Sequence, residues 1–315
     1  MTRLVVASAN GAIGLPAAIA VLRAGGSVVD AVVAAIEPVE ANPDDHSVGF
    51  AGLPNLLGEV ELDASIIDGR TLAAGAVGAL RGYQHAIALA RRVMEDLPHV
   101  LIVGDGAARL AGEIGLPRVD LLTPEAQRIW RERMDHFADG QSDDRSNSYL
   151  ARVRDLVAGV SRDPELPDAH GTVNVIARDR DGNVACGGST SGWAWKYPGR
   201  LGDSPIVGAG NYADNRWGAA ACTGRGEMAQ RCLTAHSVVT SMRSGLDLET
   251  SLRAAVADLL ALDDPYASEV NIVAVDRHGG HLGASTSAGK TYAFMTEEIN
   301  DPVVAPRLYL SMSDR

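Results

Sequence analysis

His170-Gly171-Thr172-Val173-Asn174-Val175 marks the point where a polar run stops and an apolar strand pattern begins. Upstream, Ser161 to Ala169 is rich in Pro and Asp; downstream, Val173 to Ala177 alternates as a core strand does. A threonine in such a place is ordinarily only a β-branched residue after a turn. If the peptide bond between Gly171 and Thr172 were cut, however, the new α-amine would stand beside the hydroxyl as its own general base. That is the N-terminal form of nucleophile activation. Thr172 is therefore the candidate reactive residue, and the rest of the chain decides between the two readings.

The 315 residues are 46% hydrophobic but only 4% aromatic, enough for a large core of Ala, Val, Leu and Ile in one large domain or two close ones. Forty acidic against 28 basic residues give a net charge of -12, with no basic cluster interleaved with aromatics, so nucleic acid is not expected as a partner. Cys186, Cys222 and Cys232 form no CxxC pair and are odd in number, which argues against a disulfide framework and a zinc site. They read as small apolar residues in a reducing compartment. Asn10, Gly11, Gly14 and Pro16 interrupt any signal-peptide core, and no stretch approaches the roughly 20 apolar residues of a membrane span. A cytoplasmic location with no membrane partner is expected.

In chain order, Leu4 to Ser8 reads as a strand, and Pro16 suits the first turn of a helix ending near Arg23 before Gly25 and Gly26. Ser27 to Asp30 has the form of a capping box and opens a helix with Val28, Val32, Ala35 and Ile36 on its apolar face, ended or kinked at Pro38. Asn42 to Asn55 is loop-like. Val60 to Ile67 reads as one strand or two short ones, Tyr83 to Glu95 as an amphipathic helix and Val100 to Val103 as a buried strand. Helices follow at Gly104 to Gly115 and from Thr123-Pro124-Glu125 to near His136. The region from Asp139 to Ala169 is polar, with one weak helix at Tyr149 to Val160, and reads as a linker or functional loop.

Beyond the junction, Thr172 to Arg178 and Asn183 to Ser189 form a hairpin, followed by a long glycine-rich loop from Gly199 to Gly226. Glu227 to Arg243 and Leu248 to Leu262 have helical periods. Val270 to Val275 and His281 to Ser285 make another hairpin, to which Thr291 to Met295 adds a third strand. Helices with antiparallel strands in both halves predict an α+β layered sandwich rather than a βαβ winding. Gly208 to Ala213 matches the GxGxxA fingerprint, but it follows Pro205 and runs into no helix, so a dinucleotide site is not read there. Thr223-Gly224-Arg225-Gly226-Glu227 leads straight into a helix; its amides and the Thr223 hydroxyl suit an anion or a developing oxyanion.

Several runs occur in one order: Gly25 to Val32, Ser47 to Phe50, Leu62 to Ala64, Asp68-Gly69, Gly188 to Gly192, Gly199 to Ile206, Gly208 to Gly210 and Ala219 to Glu227. Together they resemble the glycosylasparaginase branch of the asparaginase 2 family, over nearly the whole chain. The resemblance implies an N-terminal nucleophile hydrolase of four-layer αββα architecture, one domain over 1–315, that cuts itself before Thr172. The products would be an α chain, 1–171, with a polar linker from about 138, and a β chain, 172–315.

By the same resemblance, Thr172 is the nucleophile and its freed amine the base, and Thr190 supports it. Thr223 and Gly224 form the oxyanion hole. Arg200 holds a substrate α-carboxylate, while Asp203 and the Gly226 carbonyl hold the α-ammonium. The implied reaction is hydrolysis of a side-chain β-amide in a small amino-acid amide (asparagine, glycosylasparagine or a β-aspartyl peptide), with no cofactor and no metal, by a homo-oligomer of processed units. Two departures stand out. Gly171 occupies the place of the Asp typical of glycosylasparaginases and resembles plant-type asparaginases and isoaspartyl peptidases. Ala9 stands near the place of a substrate-stacking Trp, so glycan-linked asparagine is not the expected substrate. The alternative reading is an uncleaved, non-catalytic member of the family that binds amino acids.

Overall fold

The structure, a computed structural model, describes residues 2–139, 153–156, 159 and 171–310. Its strands form two sheets. The larger has the order β12 (Val303–Pro306), β11 (Thr291–Thr296), β1 (Leu4–Ser8), β5 (Val173–Arg178), β6 (Val184–Thr190), β2 (Leu62–Asp68), β3 (Ala74–Leu80), β4 (Leu101–Val103). The smaller has the order β13 (Leu308–Tyr309), β10 (His281–Ser285), β9 (Val270–Asp276), β8 (Gly218–Gly224), β7 (Asn211–Asp214). Only the β3–β4 and β10–β13 pairings are parallel. The helices are α1 (Leu15–Arg23), α2 (Val28–Glu40), α3 (Ala86–Asp96), α4 (Gly104–Glu113), α5 (Pro124–Asp139), α6 (Gly226–Cys232), α7 (Thr234–Arg243) and α8 (Leu248–Leu260). The fold is α+β, as the sequence pattern predicts.

Strand alternation decides which residues fill which core. Along β1, Val5 and Ala7 turn toward α1, α2 and α3, while Leu4 and Val6 turn the other way. On that second face Leu4, Val6, Ile67, Ile176 and Val184 meet Ala219, Ala221, Val273 and Val275 of the smaller sheet. The opposite face of the smaller sheet carries Ala220, Cys222, Ile272 and Ala274, and it packs on Met228, Val238, Val239, Leu252, Val256 and Leu259 of α6, α7 and α8. Each buried Val, Leu or Ile contributes about 1.5–3 kcal/mol by leaving water.

Several elements differ from the sequence pattern. Pro38 does not end α2, which runs on to Glu40, since a proline this late in a helix forfeits only one backbone bond. The strand Ala74–Leu80 is absent from the sequence reading, because AGAVGAL has a single β-branched residue, Val77, and no alternation. Val100 to Val103 is not buried: Val100, Leu101 and Val103 are exposed on an edge strand. The loop from Gly199 to Gly226 contains β7, an edge strand, and β8, which lies between β7 and β9. Thr291–Thr296 pairs with β1 in the larger sheet rather than extending the β9–β10 hairpin. The helix expected over Glu227 to Arg243 is two helices, broken at the left-handed Leu233, where the amides of Ala235 and His236 are spent on the carbonyls of Ala209 and Gly208. Of the helix expected at Tyr149 to Val160, residues 153–156 and 159 are helical and the rest lies outside the described residues.

One buried charge cluster fixes the loop that joins β6 to Arg200. Lys196 is buried there, its Nζ donating to the Glu61 carbonyl at 3.1 Å and standing 4.0 Å from the Glu61 carboxylate and 3.9 Å from that of Asp63. The Glu61 carboxylate accepts the Gly199 amide, and Asp63 accepts the Ala79 amide at 2.8 Å. Burial pushes the lysine pKa down and the Asp63 pKa up, and each charge opposes the other's shift. Removing the cation leaves two carboxylates buried without a counter-charge. Lys196→Met is expected to lower the unfolding free energy by about 3–5 kcal/mol in urea titration; wild-type stability in this variant would show that the cluster does not anchor the loop.

Candidate active site

Thr172 immediately precedes β5, the strand between β1 and β6, and is 8% exposed. The residue before it is fixed by a close approach. A Cβ on Gly171 would lie 2.6 Å from the Ser47 Cβ and closer still to its Oγ, so no other residue fits unless Ser47 moves. Ser47 is not free to move: its amide (2.9 Å) and hydroxyl (2.5 Å) both donate to Asp45 Oδ1, and its carbonyl accepts the Ser191 amide. Asp45 Oδ2 accepts from Asn10 Nδ2 at 3.0 Å, and Asn10 Oδ1 accepts from the Ser8 hydroxyl at 2.7 Å. Ser8 in turn accepts the Asn174 amide, so a polar ring encircles the junction from Gly171 back to β5.

Thr190 ends β6 and reaches the same junction. Its hydroxyl accepts the Gly192 amide at 2.9 Å and donates to the Gly171 carbonyl at 2.6 Å, the nearer of two acceptors, since the Ser47 carbonyl lies 3.4 Å away. The neighbouring Ser189 hydroxyl donates to the buried Glu40 carboxylate at 2.6 Å, which anchors this end of β6 on α2. The carbonyl of the Gly171–Thr172 bond is thus polarised by a hydroxyl, as an acyl group under attack requires.

Thr223 and Gly224 close β8, opposite Asn271 and Val270. Gly224 has φ 109°, and a Cβ there would collide with the Glu269 carbonyl, which explains why a glycine stands at this turn. Thr172, Gly171, Thr223, Gly224 and Ser47 line one cavity of about 320 Å³, together with Ala9, Asn10, Asp45, Asn271 and Arg307.

Arg200, Asp203 and Gly226 form an adjoining group, linked to that cavity through the short segment Gly224-Arg225-Gly226. Arg200 Nε donates to Glu227 Oε1 at 2.9 Å, and Nη2 stands 2.9 Å from the same oxygen. Asp203 is buried; a Cβ on Gly226 would lie 2.8 Å from its Oδ1, and its Oδ2 has no hydrogen-bond partner among the described residues. Burial raises its pKa from 3.8 to about 7, against the pull of the Arg200 charge. Gln230 Nε2 donates to the carbonyls of Leu201 and Gly202 and pins the loop between the two.

The eight residues singled out from the sequence therefore fall into two neighbouring groups: the Thr172 junction with Thr190, Thr223 and Gly224, and the charged group of Arg200, Asp203 and Gly226. Arg200 is engaged by Glu227, a residue that sequence reading assigned only to a helix. Ser8, Asn10 and Asp45 were also missed, because nothing in their local pattern shows that β1 and the loop after α2 meet at Gly171. His170 lies outside the described residues. Among the described residues no group of His, Cys, Asp and Glu is arranged to hold a metal ion, and no helix is long and apolar enough to cross a membrane.

Comparison with known proteins agrees with these motifs. A sequence model described as asparaginase, of the asparaginase 2 family, matches residues 10–304. A plant-type L-asparaginase of Pyrococcus abyssi is 36% identical over 277 residues, 88% of this chain and 86% of that protein. An isoaspartyl peptidase/L-asparaginase of Danio rerio is 35% identical, over 87% and 81% of the two chains. An N(4)-(beta-N-acetylglucosaminyl)-L-asparaginase of Elizabethkingia miricola is 33% identical, over 89% and 77%. On the match along nearly its whole length, the chain belongs to the asparaginase 2 family.

Proposed function

We propose that the chain is a self-processing threonine amidohydrolase that cleaves the β-amide of an aspartyl unit with free α-amine and α-carboxylate. The observation that carries this reading is the Thr190 hydroxyl on the Gly171 carbonyl, directly before a threonine that lines a cavity with Thr223 and Gly224. The three apolar layers, helix on sheet, sheet on sheet and sheet on helix, support the four-layer αββα sandwich of the N-terminal nucleophile hydrolases. Relatives named as asparaginases, an isoaspartyl peptidase and a glycosylasparaginase support the reaction class.

In self-processing, the Thr172 oxygen adds to the Gly171 carbonyl carbon while Thr190 steadies the developing oxyanion. The C–N bond breaks, the Thr172 nitrogen takes up the proton lost by the hydroxyl and becomes a free amine, and an ester remains. Water hydrolyses that ester to free residues 1–171 as the α chain and 172–315 as the β chain. The amine is then the base for the second reaction. Thr172 attacks the substrate side-chain carbonyl, with the Thr223 hydroxyl and the Gly224 amide as oxyanion donors. The leaving amine departs with a proton, and water releases aspartate from the β-aspartyl ester.

The substrate's charged end fits the second group. A buried carboxylate oxygen without a partner is costly unless an ammonium comes to meet it, and Asp203 Oδ2 with the Gly226 carbonyl would supply that place. Arg200 keeps Nη1 without a protein partner among the described residues, so a substrate carboxylate would share the guanidinium with Glu227.

Three outcomes are expected. Purified protein resolves by intact mass into two fragments that sum to the precursor plus one water, Thr172→Ala remains one chain without turnover, and Thr190→Val is cut on the order of 100-fold more slowly; one uncut chain in the wild type moves the protein to the non-catalytic, amino-acid-binding reading. Gly171→Ala slows cutting by pushing on Ser47, and the Gly171→Ala, Ser47→Gly double variant recovers part of the rate; no recovery means that crowding is not the cause. Asp203 has a raised folded pKa, so its contribution to stability is full below 3.8 and lost as the pH rises through about 7, where ionisation begins to favour an incoming ammonium. The KM for asparagine should fall through that range and lose this limb in Asp203→Asn; identical pH profiles would remove the role.

A further inference from the structure

The cavity beside Thr172 has lining residues that the chemistry above does not use: Arg307, Lys290 and Glu269. Arg307 follows β12 and is 9% exposed. Its Nε donates to the Thr291 carbonyl at 2.9 Å and its Nη1 to the Ile272 carbonyl, which together fix the plane of the guanidinium. Nη2 has no hydrogen-bond partner among the described residues.

The charges around it are already matched with one another. Lys290 Nζ stands 2.6 Å from Glu269 Oε2, Glu269 Oε1 accepts from Asn271 Nδ2, and both oxygens of Asp45 are taken by Ser47 and Asn10. Arg307 makes no ion pair with any described residue. Burial lowers its pKa to about 10, against the pull of the Glu269 carboxylate, which stands too far off to form an ion pair, and this still leaves the guanidinium charged at neutral pH. A desolvated cation with one free edge, lining the cavity of a nucleophile, is a site for an anion.

We propose that Arg307 receives the carboxylate of the leaving group, so that β-aspartyl dipeptides, whose departing amino acid carries an α-carboxylate, are preferred over amides that release ammonia or a neutral glycosylamine. This rests on the hydrolase reading above and adds the identity of the leaving side. Ammonia offers nothing for a guanidinium to hold. A sugar is commonly met by an aromatic face, and none of the described residues lining the cavity is aromatic; Ala9 stands where the family resemblance places a Trp. A cavity of about 320 Å³ has room for one amino acid beyond the scissile bond.

The test compares β-aspartyl-leucine with its C-terminal amide on the self-processed protein, since the two share every atom of the acyl side and differ in the leaving-group charge. The free acid is expected to show a kcat/KM about tenfold or more above the amide, the scale of one charge-assisted hydrogen bond, and in Arg307→Met the ratio should fall toward one. Equal kcat/KM for acid and amide in the wild type overturns the assignment and leaves the amidohydrolase reading standing. A ratio that survives Arg307→Met also overturns it. If neither compound, nor asparagine, nor glycosylasparagine is hydrolysed, both readings fall. Equality within the wild type overturns the assignment whether or not the variant folds, and where Arg307→Met does not fold, Arg307→Gln takes its place with the same expected loss of the ratio.

Discussion

The hydrogen bond from the Thr190 hydroxyl to the Gly171 carbonyl sets conditions that most of the molecule is arranged to meet. A 2.6 Å contact between the end of β6 and Gly171, two residues before β5, requires the hairpin to hold its register, Val173 opposite Ser189 and Arg178 opposite Val184. A slip by one residue would turn every side chain of one strand to the other face and send Thr190 away from the junction. Both faces of these strands are packed, Val173 and Val175 toward α2 and Ile176 and Cys186 toward the smaller sheet, so the register is enforced from two sides. The hydroxyl accepts the Gly192 amide as well, and its own hydrogen goes to the Gly171 carbonyl, nearer than the Ser47 carbonyl at 3.4 Å. Preorganisation of this kind acts because the donor is already in place when charge develops.

Around that contact, buried charge does what apolar packing cannot. Lys196 with Glu61 and Asp63 ties the 191–199 loop to β2, and Glu40 holds Ser189 from the helix side. The ends of the segment that runs from Thr190 to Arg200 are therefore held by partners that must be paired where they sit, since an unpaired charge in the interior is expensive. Apolar packing fixes where the strands sit, whereas hydrogen bonds add a dependence on angle that apolar contacts lack. This division of labour explains why the site is polar yet fixed: the sheets supply position, and the ionic groups supply orientation.

How far this was legible in the sequence follows from where each interaction is local. The capping box of Ser27 and Asp30, the hairpin turn at Asp179 to Asn183 and the period of α8 are written within a few residues, and the structure has them. The ordered glycine and threonine motifs gave the family and the two groups of candidate residues. What stayed hidden depends on distant strands meeting. The strands β3, β7 and β8 are runs of Ala, Gly and polar residues, whose strand character comes from their neighbours rather than from propensity. Leu233 breaks an unbroken helical period because two amides find better partners in Gly208 and Ala209. The close approach at Gly171 belongs to the same class: a side chain there would meet Ser47, 124 positions away in sequence.

The low aromatic content, 4% of the chain, then takes on a structural meaning. Gly187 lies so close to Val32 that a Cβ there would come within 2.8 Å of its Cγ1, and Gly75 lies 2.5 Å, by the same measure, from the Met94 amide of α3. Along β8, Ala219 to Ala221 present methyl groups to both the inter-sheet core and the helices behind it. Small residues let helices and sheets approach closely, and a closely packed interior resists displacement because every shift opens or fills a void. A larger side chain at Gly187 or along Ala219 to Ala221 would push β6 or β8 outward and carry Thr190 or Gly224 with it, and one at Gly75 would part β3 from α3. The precision of the junction is in this sense set by residues that never touch it.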